Sequence, residues 1–434
     1  MDTEKHLPKK LRKHRVGFIS VRFKGTDGVS LETEKWVAVL EKIGCDCFFF
    51  AGESDWETGK TQVVPEACFY HPEIGLIHEK VFSQRTRPRE LTDQIQDYKD
   101  YLKARIYEFI DRFNIDLIIV ENALAIPLHI PLGLAITEFI AETGFRTIAH
   151  HHDFFWERTR FLSNCVWDYL NMAFPPRLPS IQHVVINSSG GNQLALRTGA
   201  SSTLIPNVMD FDNPPDERDD YTKNIRQDLC VADDELLFLQ PTRVVQRKGI
   251  EHAIELISRL NRKARLVISH ASGDEGYEYE QRLRDYAKLM NVPVNFEADI
   301  IDDDRGTTRD GRKIYSVWDA YPAADIVTYP STFEGFGNAF LETIYFKRPI
   351  IVNNYSIYFF DIKPKDFNVV EFDGFISDET VDQVKKILDT PLYTKEIVEK
   401  NYEIAKRFYS FSVLERKLNN ILSNFFGENG ENLI

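Results

Sequence analysis

Ser331-Thr332-Phe333-Glu334-Gly335-Phe336-Gly337-Asn338-Ala339-Phe340-Leu341-Glu342 is the most informative stretch of this chain. A β-rich run, Asp325 to Tyr329, precedes it and a helical pattern follows, so it reads as a strand-to-helix turn. With the helix starting near Gly337, Glu334 lies in the turn and Glu342 inside the helix, roughly 8–12 Å apart from the helical rise plus one turn. One molecule the size of a nucleoside diphosphate sugar would touch both. The glycines allow backbone N–H groups to approach a ligand closely, and a helix N-terminus favours a phosphate. Two glutamates at this spacing also arise in a plain solvated turn. The strand, Pro330, the Glu-Gly-Phe-Gly run and the helix together give the signal its weight.

A second stretch, Pro241-Thr242-Arg243-Val244-Val245-Gln246-Arg247-Lys248-Gly249, also stands at the carboxyl end of a strand. Arg243 and Lys248 supply two fixed cations to a loop that enters a helix. Such a pair neutralises a diphosphate and stabilises the charge that develops on it as it leaves. The alternative is surface charge before a helix.

Strands and helices alternate on both sides of these motifs. In the first half, strands are expected at 16–23, 45–50, 116–120, 146–151 and 183–187, with helices at 30–43, 89–113 and 131–142. The second half has strands at 236–240, 266–269, 294–297, 325–329 and 350–353, and a helix after Gly249 with Ile250, Ala253, Ile254 and Ile257 on one face. This alternation predicts parallel sheets with helices on both faces. The Pro-, Asn- and Asp-rich stretch 207–228 reads as a linker. The expected division is 1–214, 215–410, and a terminal helix, 411–434, that either packs back toward the first domain or is buried on the second alone. Two such domains are expected to place a cleft between the carboxyl ends of their sheets, where ligands bind in these folds.

The composition agrees with this reading. Of 434 residues, 43% are hydrophobic and 28% charged, the balance of a globular chain rather than a disordered or disulfide-built one. The net charge of −14 argues against sequence-blind binding to nucleic acid or to an acidic membrane, so any phosphate site is local. Five scattered cysteines point to reduced thiols and a cytoplasmic setting. The basic start (Lys5, Lys9, Lys10, Arg12, Lys13, Arg15) lacks the apolar run of a secretory signal and reads as a solvated N-terminus. The longest apolar stretch, Leu124 to Ile136, contains His129 and two prolines and is too short to span a bilayer.

Arg243-x4-Lys248-Gly249 followed by Glu334-x7-Glu342 resembles the family-4 retaining glycosyltransferases, which have the GT-B fold. Ile205-Pro206-Asn207-Val208-Met209-Asp210 is similar to the family's entry into the second domain, and Gly25-Thr26-Asp27-Gly28-Val29 to its N-terminal glycine loop. The resemblance implies two Rossmann-like domains: an acceptor domain and a nucleotide-sugar donor domain. It also implies sugar transfer with the anomeric configuration kept. It assigns Arg243 and Lys248 to the donor diphosphate, Glu334 to the donor sugar and Glu342 to the ribose. Gly335, Phe336, Gly337 and Asn338 fall to sugar hydroxyls, and Gly25 and Gly28 to the donor loop. The family's usual proposal is a front-face displacement in which the departing diphosphate takes the acceptor's proton. No motif supplies a second carboxylate as a covalent nucleophile, and no Asp-x-Asp motif calls for a metal-held diphosphate. No protein metal site is expected, a divalent cation assisting at most.

On a strand, His150 and His152 point to one side and His151 to the other. A metal there needs a third ligand, which no nearby motif supplies. The family usually has a histidine at the end of this strand that donates to the transferred sugar; His152 is the candidate, with His150 the alternative two residues away. Arg22, Lys24 and Arg158, with Arg160, suit a phosphorylated or carboxylated acceptor, against a reading as scattered solvated charge. Lys347 and Thr242 stand where the family commonly has glycine, and the stretch 300–313 reads as a long charged loop. The histidine run and Tyr355 to Ile362 give a likeness to mannosyltransferases that make mannosylglucosyl-phosphoglycerate from GDP-mannose. The expected activity is therefore hexose transfer from a nucleotide sugar to a small anionic acceptor such as glucosyl-3-phosphoglycerate. The alternatives are a UDP-glucose-dependent glucosyltransferase of the same family, a non-catalytic nucleotide-sugar-binding protein, and a pyridoxal-phosphate phosphorylase, for which no Schiff-base lysine motif is present.

Overall fold

The computed structural model describes residues 13–25, 27–215, 219–271, 277–297 and 299–427. The basic start up to Arg12, and Thr26 of the glycine loop, lie outside the described residues. The chain divides into two compact units, one of residues up to Ile205 together with the last helix from Leu414, the other Pro206–Val413.

The first unit begins with β1 (Arg15–Ile19), α1 (Gly28–Lys42), β2 (Asp46–Ala51), β3 (Thr61–Val63), α2 (Pro72–Ser83), α3 (Arg89–Phe113) and β4 (Leu117–Glu121). It continues with α4 (Ile130–Thr143), β5 (Thr147–His151), α5 (Trp167–Ala173), β6 (Ile181–Val185), α6 (Ser188–Thr198) and β7 (Ser202–Leu204). All strands are parallel, in the order β3-β2-β1-β4-β5-β6-β7. α3 shows why the sequence was readable: Leu91, Ile95, Leu102, Ile106, Phe109 and Phe113 recur at helical spacing, and all are buried. Its C-cap, Asn114, turns the chain in the left-handed conformation at φ 52°. α1 starts two residues before its expected beginning because Asp27 caps it, accepting from Val29 N at 3.0 Å and Ser30 N at 3.2 Å.

The second unit contains α7 (Ile225–Asp228), β8 (Leu236–Gln240), α8 (Ile250–Leu260), β9 (Ala264–Ile268), α9 (Glu278–Met290) and β10 (Val294–Phe296). After it come β11 (Ile301–Asp302), β12 (Gly306–Thr307), β13 (Lys313–Ser316), α10 (Val317–Ala320), β14 (Ile326–Tyr329) and α11 (Asn338–Tyr345). It ends with β15 (Ile350–Asn353), β16 (Val370–Phe372), α12 (Asp378–Asp389) and α13 (Pro391–Tyr409), before α14 (Phe411–Phe426). Its main sheet is again parallel, in the order β10-β9-β8-β14-β15-β16. The stretch 300–313 is not a plain loop: β11, β13 and β12 pair as a small sheet.

Both main sheets wind outward in two directions from their first strand, so both units are doubly wound α/β structures. In each, the order reverses between the first strand and its later neighbour, β1/β4 and β8/β14. Ligands of such sheets bind outside the carboxyl ends of the strands at that switch point.

The chain passes from one unit to the other at 205/206, and residues 206–214, read in sequence as the end of the first domain, are held by the second unit. Met209 N donates to Tyr409 O at 2.9 Å, and Tyr345 Oη donates to Asn213 O at 2.8 Å. From Leu414, α14 packs with the first unit: Lys42 Nζ donates to Glu415 at 2.8 Å, and His14 stacks on Phe426 with centroids 3.9 Å apart. Among the described residues no helix is long and apolar enough to cross a membrane.

Three buried histidines in the first unit are held neutral. His129 caps α4, its Nδ1 accepting from Leu132 N at 3.0 Å while Nε2 bonds Glu66 O at 2.7 Å. His151 Nε2 and His183 Nδ1 lie 2.9 Å apart. Burial pushes His129 and His183 down to about 4, and His151 well below its usual value. The unfolded chain takes up these protons first, near pH 6.5, so the stabilisation is complete above that pH and is lost as pH falls through about 4. Each of His129 and His183 is worth on the order of 3 kcal/mol across the window. The expected outcome is a melting temperature that falls steeply between pH 6.5 and 4; one that stays level there contradicts the assignment.

Candidate active site

The residues singled out in the second half converge at the β8/β14 switch point. Buried β8 is followed by Pro241 and Thr242, and the chain then runs through Arg243 into a single helical turn, Gln246–Lys248. Thr242 takes part in a buried polar chain, Thr328 Oγ1 donating to Gln240 Oε1 at 2.6 Å and Gln240 Nε2 to Thr242 Oγ1 at 2.8 Å. Gly249 adopts φ 59°, and a Cβ there would stand 2.5 Å from Pro330 O, so only glycine lets the two loops approach this closely. The loops are also joined by backbone: Thr332 N donates to Arg247 O at 2.8 Å.

This approach buries Lys248 and Glu334 together, each 8% exposed. Lys248 Nζ donates to Glu334 Oε1, and Arg247 Nη1 donates to Glu334 Oε2 at 3.2 Å and to Phe333 O at 3.1 Å. Burial alone would raise the Glu334 carboxyl, but Lys248 and Arg247 outweigh it and hold the group ionised, below the usual carboxylate range. Burial lowers the Lys248 ammonium, and Arg247 and Arg243 press it down further against the pull of Glu334. Two cations thus bond one carboxylate, and the exposed Arg243 adds a third positive charge beside Lys248. Two positive charges are left over, which fits a diphosphate. His270, following β9, lies in the same field: it is lowered by burial, and Arg243 and Lys248 act on it in the same direction.

Gly337 is the N-cap of α11, with φ 121°, and a Cβ there would come within 2.5 Å of Tyr355 Oη. That hydroxyl donates to Phe336 O at 2.9 Å and fixes the turn. Phe336 is buried, Gly335 half-buried, and the Asn338 side chain accepts from Asn207 Nδ2 at 2.7 Å. Glu342 lies inside α11, where Tyr321 Oη donates to its Oε2 at 2.5 Å. Lys347 closes the helix in the left-handed conformation at φ 51°, its ammonium 2.7 Å from Glu399.

In the first unit the corresponding groups lie after β1, β4 and β5. Gly25 (φ 75°) donates its N–H to Asp55 Oδ2 at 3.1 Å, and Gly28 opens α1. Arg22 is paired with Asp27 at 3.0 Å and Arg158 with Asp153 at 2.6 Å, while Lys24 is exposed. Neither arginine is therefore an unclaimed cation. His150 and His152 point to one side and share a carboxylate, Glu121, at 2.9 Å and 3.2 Å; His151 points to the other, against His183. Glu121 is the third donor group that the sequence did not provide: one ligand atom from each of Glu121, His150 and His152 lies within 4.8 Å of the others. The two short contacts are hydrogen bonds to one oxygen, and they account for the cluster as a carboxylate between two imidazoles.

No protein-family model matches the chain. The mannosylglucosylglycerate synthase of Petrotoga mobilis is 33% identical to it over 379 residues, 82% of this chain and 86% of that one. The enzyme of the same name from Thermotoga maritima is 30% identical over 92% of this chain and 98% of its own. The chain belongs to the mannosylglucosylglycerate synthase family of glycosyltransferases. It is a hexosyltransferase. A mannosylglucosyl-3-phosphoglycerate synthase of Petrotoga mobilis matches at 25% identity over 55% of this chain and 49% of its own. Among solved structures, a glycosyltransferase from Rickettsia africae superposes with a TM-score of 0.66 over 96% of this chain and all of that one; at 14% identity it speaks for the fold, GT-B, alone.

Three groups of this glycosyltransferase escaped the sequence reading. Arg247 stands between the two cations that its motif singles out, Glu121 lies 31 residues before His152, and His270 follows a strand without a motif of its own. The doublet Arg247-Lys248 was the only local signal for any of them.

Proposed function

We propose that this glycosyltransferase moves mannose, from GDP-mannose, to a small carboxylated acceptor of the glucosylglycerate type, with the anomeric configuration retained and in the cytoplasm. The observation that carries the reading is the buried Lys248–Glu334 pair, bonded also by the half-buried Arg247 and lying beside Arg243, with two surplus positive charges at the β8/β14 switch point. The relatives that match over most of their length are named for a mannosyl transfer and for an acceptor without phosphate, which favours the carboxylate alone over the phosphorylated alternative.

In this reading Arg243 and Lys248 hold the diphosphate, the N-terminus of α11 with Gly335 to Asn338 meets sugar and phosphate oxygens, and Glu342 bonds the ribose. Glu334 and His152 bond the hexose, Gly25 and Gly28 line the donor loop, and Arg22, Lys24 and Arg158 receive the acceptor. The bond from the anomeric carbon to the phosphate oxygen breaks as the acceptor oxygen bonds that carbon from the same face. The acceptor's proton passes to the departing diphosphate. With Arg243 and Lys248 stabilising that leaving group, a divalent cation would assist the reaction and not be required for it.

The test is a mass-spectrometric screen of GDP-mannose and UDP-glucose against glucosylglycerate and glucosyl-3-phosphoglycerate, with NMR of the new linkage. The expected product is glucosylglycerate carrying one added mannose in the donor's configuration, with activity kept in EDTA. Failure to consume any donor with either acceptor would overturn the reading.

A separate prediction concerns Glu342. Glu342→Ala is expected to weaken binding of free GDP about tenfold or more, since it removes a charged hydrogen-bond partner of the ribose worth about 1.5–3 kcal/mol. Calorimetry giving an unchanged affinity contradicts that role.

A further inference from the structure

Glu121 ends β4 with its carboxylate fully enclosed. An ionised carboxylate in such a place is costly unless charged or hydrogen-bonding partners compensate it. Its Oε2 meets His150 Nδ1 at 2.9 Å and His152 Nε2 at 3.2 Å, and its Oε1 has no hydrogen-bond partner among the described residues. The two imidazoles are therefore what keeps the group in place. They differ in access. His150 is completely buried and its ring lies on Trp36, centroids 4.2 Å apart and planes 27° from parallel. The His152 side chain keeps 9% of its surface exposed, and its backbone N–H is tied to Asn122 Oδ1 at 3.1 Å.

We infer that Glu121 is a positioning residue for the transfer reaction: anchored by His150 against Trp36, it fixes the His152 ring so that Nδ1 is the nitrogen left for the hexose. The inference rests on the reading of His152 as a hexose-binding group. The sheet provides the arrangement directly, because Glu121 and His150 are register partners across β4 and β5. A His152 ring with Nε2 engaged cannot turn to offer the same atom to a ligand, so donor groups would meet a single, preset nitrogen.

The charges around the ring reinforce this. Glu121 faces it from β4, and Glu32 from α1, itself paired with Lys35 at 2.9 Å. Asp153, paired with Arg158, follows it in the chain, and His150 and His151 precede it on β5. Burial works against the imidazolium, but Glu121, Glu32 and Asp153 outweigh it, so the ring is held more basic than an ordinary histidine. A charged donor makes a stronger hydrogen bond to a hydroxyl than a neutral one does. His150, by contrast, has no route to a ligand and serves the carboxylate alone.

The test uses the full-length protein labelled with 15N-histidine, titrated by NMR, alongside steady-state kinetics of wild type and Glu121→Gln. Wild-type His152 is expected to titrate above the ordinary imidazole value with Nε2 protonated. In Glu121→Gln its midpoint is expected to fall by about one pH unit or more. The kcat is expected to fall about tenfold or more with the donor KM within about threefold, and the alkaline limb of the kcat profile to move to lower pH by the same interval. Glu121→Asp should recover part of the loss.

Wild-type His152 titrating at or below the ordinary value overturns the inference without any variant, as does an unmoved midpoint in folded Glu121→Gln. Stoichiometric Zn2+ binding that raises wild-type turnover and disappears in Glu121→Gln also overturns it, because the cluster would then be a metal site. Full activity of His152→Ala would sink the hexose-binding role of His152, while the titration still reports separately on what Glu121 does to the ring.

Discussion

Lys248→Ala is expected to lower kcat by about 100-fold or more, the scale seen when a group that stabilises transition-state charge is removed. Its ammonium is buried, bonded to Glu334 and acted on by the charges of Arg247 and Arg243. The variant also leaves the buried Glu334 carboxylate with Arg247 as its remaining ion-pair partner among the described residues. Breaking a buried pair in this way destabilises a fold by about 3–5 kcal/mol. Loss of activity must therefore be read on protein shown to be folded. Lys248→Met, which keeps the stem's packing but not the charge, separates the two effects: it should be as inactive as the alanine variant and closer to wild type in stability. Normal turnover in either folded variant would contradict the role of Lys248.

Glu334→Ala is expected to lower kcat by a similar factor, about 100-fold, for a different reason. Lys248 and Arg247 hold this carboxylate ionised and oriented, so its removal takes away a fixed acceptor for the hexose and also releases both cations. Glu334→Gln keeps the shape and still accepts a hydrogen bond, but it removes the charge. If charge matters, the glutamine variant stays close to the alanine one; if shape alone matters, it stays close to wild type. Because Lys248 and Glu334 touch, the double variant should lose much less than the product of the two single losses. Multiplicative losses, or near-normal turnover in folded Glu334→Ala, would show that the pair does not act as a unit.

Most of what these predictions need was legible before the fold was known, and the exceptions have physical causes. α3 and β8 are bounded to the residue in sequence: a long amphipathic helix repeats its apolar positions at helical spacing, and β8 is a short apolar run ahead of Pro241. β3, β7 and β16 were missed because three residues carry no period, and their neighbours in the sheet decide that they are strands. The small sheet of β11, β12 and β13 reads as a loop in sequence because Asp, Arg and Gly dominate its composition, the usual mark of turns. Its strands are only two to four residues long. In the site, Glu334, Lys248 and Gly249 could be read because they fall in one or two local motifs. Glu121 could not be: it meets His152 only through the pairing of β4 with β5, a relation that no local pattern records. The pairing of the acceptor cations is local as well: Asp27 and Asp153, close by in the same motifs, bond Arg22 and Arg158.

A crystal structure of the protein with GDP bound tests the central claim most directly. The account predicts the pyrophosphate within hydrogen-bond distance of Arg243 and Lys248, at the N-terminus of α11, with the ribose on Glu342. A pyrophosphate bound elsewhere, with Lys248 still locked to Glu334 and Arg243 turned to solvent, would contradict it.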